Sequence, residues 1–140
     1  MNDNVVEIVL VEDSMEDAEL TIRTLRKHHL ANHLLHLHDG EEALKDFFEV
    51  DAKLPKLVLV DLKMPKVDVL EVLRRLKESE TTRVVPVVVF TSSKEERDIV
   101  ETYKLGVNAY IVKPVDFDKF VKAIGDVGLF WLVLNQPPSV

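Results

Sequence analysis

Five short apolar runs, each followed by a segment with helical spacing, constrain this chain more than any other feature. The runs are Val5–Val11, Leu34–His38, Leu57–Val60, Val87–Phe90 and Ala109–Val112. Strands that alternate with helices in this way build a parallel α/β sheet, because parallel neighbours need a crossover and a helix supplies it. Val5–Val11, Leu57–Val60 and Val87–Phe90 are nearly continuous in branched apolar residues, as expected of strands covered on both faces, and belong in the sheet interior. A length of 140 residues suits one domain with a sizeable core, and neither a linker nor a repeat beyond the βα unit divides it.

The helix starts are marked by capping pairs. Ser14 with Asp17, Asp68 with Glu71 and Ser93 with Glu96 each set a side-chain oxygen three residues ahead of a carboxylate. Val69, Val72, Leu73 and Leu76 repeat at the spacing of one helix face, and so do Phe117, Phe120, Val121 and Ile124 after Asp116, so both helices are expected to bury a face. Gly106 ends the segment Lys94–Leu105 where a left-handed residue closes a helix. That segment offers only Ile99, Val100, Tyr103 and Leu105 as clear apolar positions, so its core face is sparse.

Composition excludes several functions. Eighteen Lys and Arg against 25 Asp and Glu give a net charge of −7, the wrong sign for binding a nucleic-acid backbone. With no cysteine, thiolate metal sites, disulfides and cysteine nucleophiles are absent, which fits a reducing compartment and an expected cytoplasmic location. The longest apolar stretches, such as Val127–Leu134, are far shorter than the roughly 18–20 residues that span a bilayer, and the start Met1-Asn2-Asp3-Asn4 is unlike a signal peptide.

Ligands of open parallel sheets sit at the carboxyl ends of the strands, so the residues just past each run carry the most information. These are Glu12 and Asp13 after the first run, Asp61 after the third, Thr91 after the fourth and Lys113-Pro114 after the fifth. Any one of these acids alone reads as a solvated loop charge. Together they gather three carboxylates, a hydroxyl and an ammonium on one rim. Such carboxylates repel one another unless a cation neutralises them, and an all-oxygen donor set suits a hard ion such as Mg2+. Asp61, directly after Leu57-Val58-Leu59-Val60, needs a partner to justify its partial burial.

The segments Val9-Leu10-Val11-Glu12-Asp13-Ser14, Asp61-Leu62-Lys63-Met64-Pro65, Val89-Phe90-Thr91-Ser92 and Gly106-Val107-Asn108-Ala109-Tyr110-Ile111-Val112-Lys113-Pro114 occur in order and at intervals that resemble the receiver domain of bacterial response regulators, the CheY-like phosphoacceptors. The resemblance covers about residues 5 to 128. It implies a flavodoxin-like, doubly wound (βα)5 fold with strand order 2-1-3-4-5. It also implies that Asp61 accepts a phosphoryl group, that Glu12, Asp13, Asp61 and the Lys63 backbone carbonyl hold Mg2+, and that Thr91 and Lys113 bind the phosphoryl oxygens. Thr91 and Tyr110 would form the switch, and the Lys113-Pro114 peptide would be cis. Two positions depart from the family pattern. Val69 stands where glycine is usual, and Glu12 is one methylene longer than the commoner Asp, which suits water-mediated contact with the ion.

The division expected is a receiver over 1–128 and an apolar tail over 129–140, with no separate output domain. Gly125 and Gly128 weaken the last helix, so a bend near Gly128 is expected, and Pro137-Pro138 stop any continuation. Gly128-Leu129-Phe130-Trp131-Leu132-Val133-Leu134 is too apolar for a solvated end. It either packs on its own domain or uses Phe130, Trp131 and Leu134 against a second copy. The tail resembles that of small response regulators serving phytochrome-like histidine kinases, a subgroup known for dimers. The partners implied are a sensor histidine kinase of that kind, a second copy of this chain and a downstream phosphocarrier, with no nucleic acid and no membrane.

All five histidines lie between His28 and His38. Without a third ligand at recognised spacing, they read as surface residues near an edge strand rather than a zinc site. Three other functions compete with this one. An aspartate-nucleophile phosphatase would carry a second acid where Lys63 stands, and a flavin binder would need a phosphate loop where Glu12-Asp13-Ser14-Met15-Glu16-Asp17 is acidic. A degenerate receiver, used only for binding, would be expected to lack Asp61 or the acidic pair.

Overall fold

The structure, a computed structural model, describes residues 6–30, 32–47, 54–63 and 69–138. Its elements alternate from end to end: β1 (Ile8–Val11), α1 (Met15–Lys27), β2 (Leu34–Leu37), α2 (Gly40–Phe47), β3 (Leu57–Val60), α3 (Val69–Glu78), β4 (Val87–Thr91), α4 (Glu96–Leu105), β5 (Ala109–Val112) and α5 (Phe117–Gly128). The strands form one parallel sheet in the order β2-β1-β3-β4-β5, as the family resemblance implied. Every residue of β1, β3 and β4 is buried, whereas the edge strands β2 and β5 are mostly half-buried, so apolar continuity did separate interior from edge.

Alternation along the strands splits the core in two. Val9, Val11, Val58, Val60, Val87 and Val89 face α3 residues Val69, Val72, Leu73 and Leu76. Ile8, Leu10, Leu57, Leu59, Val88 and Phe90 face α1 and α5 through Ala18, Leu25, Phe120, Ile124 and Val127. Val69 is therefore a core residue at the start of α3, which explains an apolar side chain at that position. The Asp68 cap lies outside the described residues.

Three local expectations are corrected. Phe117 is 64 % exposed rather than part of the buried face of α5, where Phe120 and Ile124 carry the packing. The helix α4 begins at Glu96 with Glu95 at its N-cap, and Ser93 does not pair with Glu96. Its hydroxyl donates instead to Asp98 Oδ2 at 2.6 Å and accepts from the Glu95 N–H, so it braces the loop before the helix. The bend at Gly128 is absent: Gly128 keeps helical dihedrals and the chain runs on as a π-helical segment, Leu129–Leu134. A Cβ at Gly128 would lie 2.7 Å from Leu25 Cδ2 and 2.8 Å from Leu30 Cδ1, so this glycine serves the close approach of α5 to α1. Gly106 does close α4 with a left-handed φ of 102°.

Candidate functional site

The parallel sheet delivers Glu12, Asp61, Thr91 and Lys113 to one edge, because each ends or directly follows its strand. The centre is the Lys113 ammonium. It donates to Glu12 Oε1 at 2.7 Å, Asp17 Oδ2 at 2.7 Å and Asp61 Oδ2 at 2.8 Å, using all three donors of an ammonium. The Lys113, Glu12 and Asp61 side chains are 8 %, 4 % and 6 % exposed, against 36 % for Asp17. The Phe90 ring supports the ammonium from 5.8 Å. The second carboxylate oxygens of Glu12 and Asp61 are tied to backbone: Ser14 N–H donates to Glu12 Oε2 and Lys63 N–H to Asp61 Oδ1, each at 3.1 Å. No buried side-chain N or O among the described residues lacks a partner.

One cation shared by three acids leaves uneven electrostatics. Burial alone would lower the Lys113 pKa, but its bonds to Asp17, Asp61 and Glu12 outweigh that and raise it. Burial pushes Asp61 up, yet hydrogen bonds from Lys113, Thr91 and the Lys63 N–H, with the lysine charge, hold it below the usual value. Glu12 is pushed up to about 7 by burial, opposed by the Lys113 hydrogen bond and reinforced by the charge of Asp61. Asp61 thus keeps its charge, and Glu12 bears the cost of the surplus.

Asp13 stays outside this clamp, exposed and with no bond to another described residue. Asp17 takes the third place instead. Its backbone N–H still donates to Ser14 Oγ at 3.3 Å, so Ser14 caps α1, but its carboxylate turns to the ammonium and not back to the cap as a capping box requires. A charge-assisted bond to a buried ammonium outcompetes one to a backbone N–H. The Lys113-Pro114 peptide is trans, not cis. The trans form is favoured by about 0.5–1 kcal/mol before proline, and here the Lys113 N–H prolongs the β4–β5 ladder to Thr91 O at 2.7 Å.

Thr91 is fully buried, and its Oγ1 accepts from the Ser93 N–H at 3.4 Å. Tyr110, half-buried on β5, donates its hydroxyl to Ser93 O at 3.0 Å, so both residues meet the loop after β4. The sequence reading missed His36. Its Nε2 bonds the Glu12 carbonyl at 2.8 Å while Glu12 N–H donates to Leu37 O, fixing Glu12 from the edge strand. His36 and His38 do share a face, with ring centroids 4.4 Å apart.

Among the described residues, no three His, Cys, Asp or Glu side chains are gathered so as to hold a metal ion, since the lysine occupies the centre of the acids. The donor chemistry nevertheless fits a hard divalent cation. Three carboxylates, Glu12, Asp17 and Asp61, share one buried ammonium, so their oxygen donors carry more negative charge than the lysine balances.

A doubly wound sheet with an aspartate clamped by lysine at its carboxyl edge defines a phosphoacceptor-like class. Residues 8–125 match the response regulator receiver domain, and the chain belongs to that family. It is 35 % identical over 137 residues to response regulator Rcp1 of Synechocystis, spanning 94 % of this chain and 92 % of that protein. The Mn2+-bound form of Rcp1 superposes with a TM-score of 0.89 at 33 % identity, covering 96 % of this chain and 99 % of the other. The phosphorylated cyanobacterial phytochrome response regulator RcpA gives the same TM-score, identity and coverage. The bacteriophytochrome response regulator RtBRR is 48 % identical with a TM-score of 0.71, covering 96 % of this chain and 84 % of the other. The chain is a response regulator receiver of the two-component phosphorelay, the role the resemblance implied, and its family implies a histidine kinase partner.

Proposed function

We propose that Asp61 accepts a phosphoryl group from the phosphohistidine of a phytochrome-like sensor kinase. The observation that carries this reading is the buried, ionised Asp61 carboxylate held by Lys113 at the end of β3. A carboxylate oxygen of Asp61 attacks phosphorus, the O–P bond forms as the P–N bond breaks, and the electron pair leaves on the imidazole nitrogen, which takes a proton. Hydrolysis reverses the state: water attacks phosphorus, the O–P bond breaks, and Asp61 and inorganic phosphate are released. Glu12, Asp13, Asp61 and the Lys63 carbonyl would hold Mg2+, which supplies charge neutralisation for the transferring oxygens. Lys113 and the Thr91 hydroxyl bind those oxygens, and positioning does most of the remaining work.

Output is transmitted by contact. When Thr91 moves toward the phosphoryl group, Tyr110 and the loop at Ser93 follow, which biases the face formed by α4, β5 and α5. That face and the tail residues Phe130 and Leu134 associate with a second copy, or the phosphoryl group passes to a downstream carrier. These events are placed in the cytoplasm, where sensor-kinase transmitters act. Phosphotransfer from a panel of purified histidine kinases, phytochrome-like members included, tests the reading. Transfer from the phytochrome-like kinases in preference to the rest is expected, and transfer from none would overturn it.

A further inference from the structure

We propose that Asp17 is a positioning residue, a resting-state latch that holds Lys113 on α1 and must release it before the lysine can bind an incoming phosphoryl group. The proposal rests on the phosphoacceptor reading of Asp61. An ammonium has three N–H donors, and in this structure all three are committed to Glu12, Asp17 and Asp61. A phosphoryl oxygen is a fourth acceptor. While the donor docks, Asp61 is still an anionic carboxylate, so the newcomer competes with the oxygens of three acids and one must let go.

Burial decides which. Glu12 and Asp61 are 4 % and 6 % exposed, and losing the ammonium would leave either one charged, buried and short of a partner. Asp17 is 36 % exposed, so water takes over its oxygen at little cost. It is also the acid of the three that comes from a helix rather than a strand end, its place fixed by the Ser14 cap. The bond that sets the lysine at rest is thus the one most easily given up.

Three variants separate a latch from its alternatives. Asp17→Asn keeps the shape and loses the charge, Asp17→Glu keeps the charge, and Glu16→Gln removes a neighbouring charge from an exposed residue in the same turn. With acetyl phosphate as donor and Mg2+ saturating for each protein, Asp17→Asn is expected to be phosphorylated about three- to ten-fold faster than wild type, as when an ion pair becomes an ion–dipole hydrogen bond. Glu16→Gln should stay near the wild-type rate, and Asp17→Glu, which keeps the charge, should be slower than Asp17→Asn. In metal-free protein, the Lys113 ammonium NMR signal, assigned by its loss in Lys113→Arg, should be protected from solvent exchange in wild type and Asp17→Glu and exchange faster in Asp17→Asn.

An equal or slower rate in Asp17→Asn would overturn the latch, because slower transfer is what a permanent anchor predicts. Equal acceleration by Glu16→Gln would also overturn it in favour of general charge repulsion, as would unchanged ammonium protection in Asp17→Asn. Wild type that takes no phosphoryl group at all would instead overturn the reading of Asp61, and the latch with it.

Discussion

Glu12 has a pKa of about 7, so it holds its proton well above the ordinary carboxylate range. A divalent cation at this carboxylate must displace that proton, and Mg2+ affinity is predicted to rise as the pH climbs through about 7. Calorimetry in buffers of different ionisation enthalpy should show proton release on Mg2+ binding in wild type and none in Glu12→Gln; equal release from both would place the proton elsewhere. In the metal-free fold the folded-state pKa lies above the unfolded value near 4.5, so the stability Glu12 contributes is fully present below 4.5 and is lost as the pH rises through about 7. Glu12, Asp61, Thr91 and Lys113 were legible in the sequence because a strand end fixes where its next residue goes. Asp17 was legible only as a capping partner: its spacing from Ser14 is local, while the ammonium that captures it comes from the far end of the chain. His36 had no sequence signal, since its partner is a backbone carbonyl.

The end of α1 shows how neighbouring elements share one constraint. Leu30 N–H reaches Leu25 O and His29 N–H reaches Arg26 O, the paired bonds of a Schellman cap, with His29 at φ 59° where glycine is usual. Replacing it by glycine relieves left-handed strain, so His29→Gly is predicted to raise unfolding stability by about 1 kcal/mol in urea titration, and a loss would contradict the cap. The same cap brings Leu25 and Leu30 together under Gly128 of α5. Gly128→Ala must push into that pair at a cost of about 1–3 kcal/mol, against a helix-propensity gain of about 1 kcal/mol, so net destabilisation is expected. Gly125→Ala meets only the exposed His28 ring at 3.3 Å, which can move, and should be neutral or stabilising. Strand positions and the buried face of α3 were legible because periodicity records burial. The absent bend at Gly128 was not, because the glycine is explained by a helix about a hundred residues earlier in sequence.

Across the whole molecule, apolar surface concentrates on α4, α5 and the tail: Val100, Tyr103, Phe117, Phe130, Val133 and Leu134 are all exposed, while Leu132 is buried and Trp131 packs against the core beneath. The tail thus divides its residues between its own domain and an outward face, and Trp131, its ring edge-on to Phe130 at 5.0 Å, serves the inward side. Association through that outward face would cover area the monomer exposes, and phosphorylation would strengthen it only if the dimer bound the activated conformation more tightly. Sedimentation velocity with beryllofluoride and Mg2+ should show dimers of wild type and monomers when Phe130 and Leu134 are both changed to Ser; monomers throughout would contradict the interface. Every such effect depends on Asp61 receiving the phosphoryl group. The decisive measurement is intact-mass spectrometry after incubation with acetyl phosphate and Mg2+, on wild type and Asp61→Asn. The account predicts one phosphoryl adduct on wild type and none on the folded variant, whereas equal phosphorylation of both would contradict it.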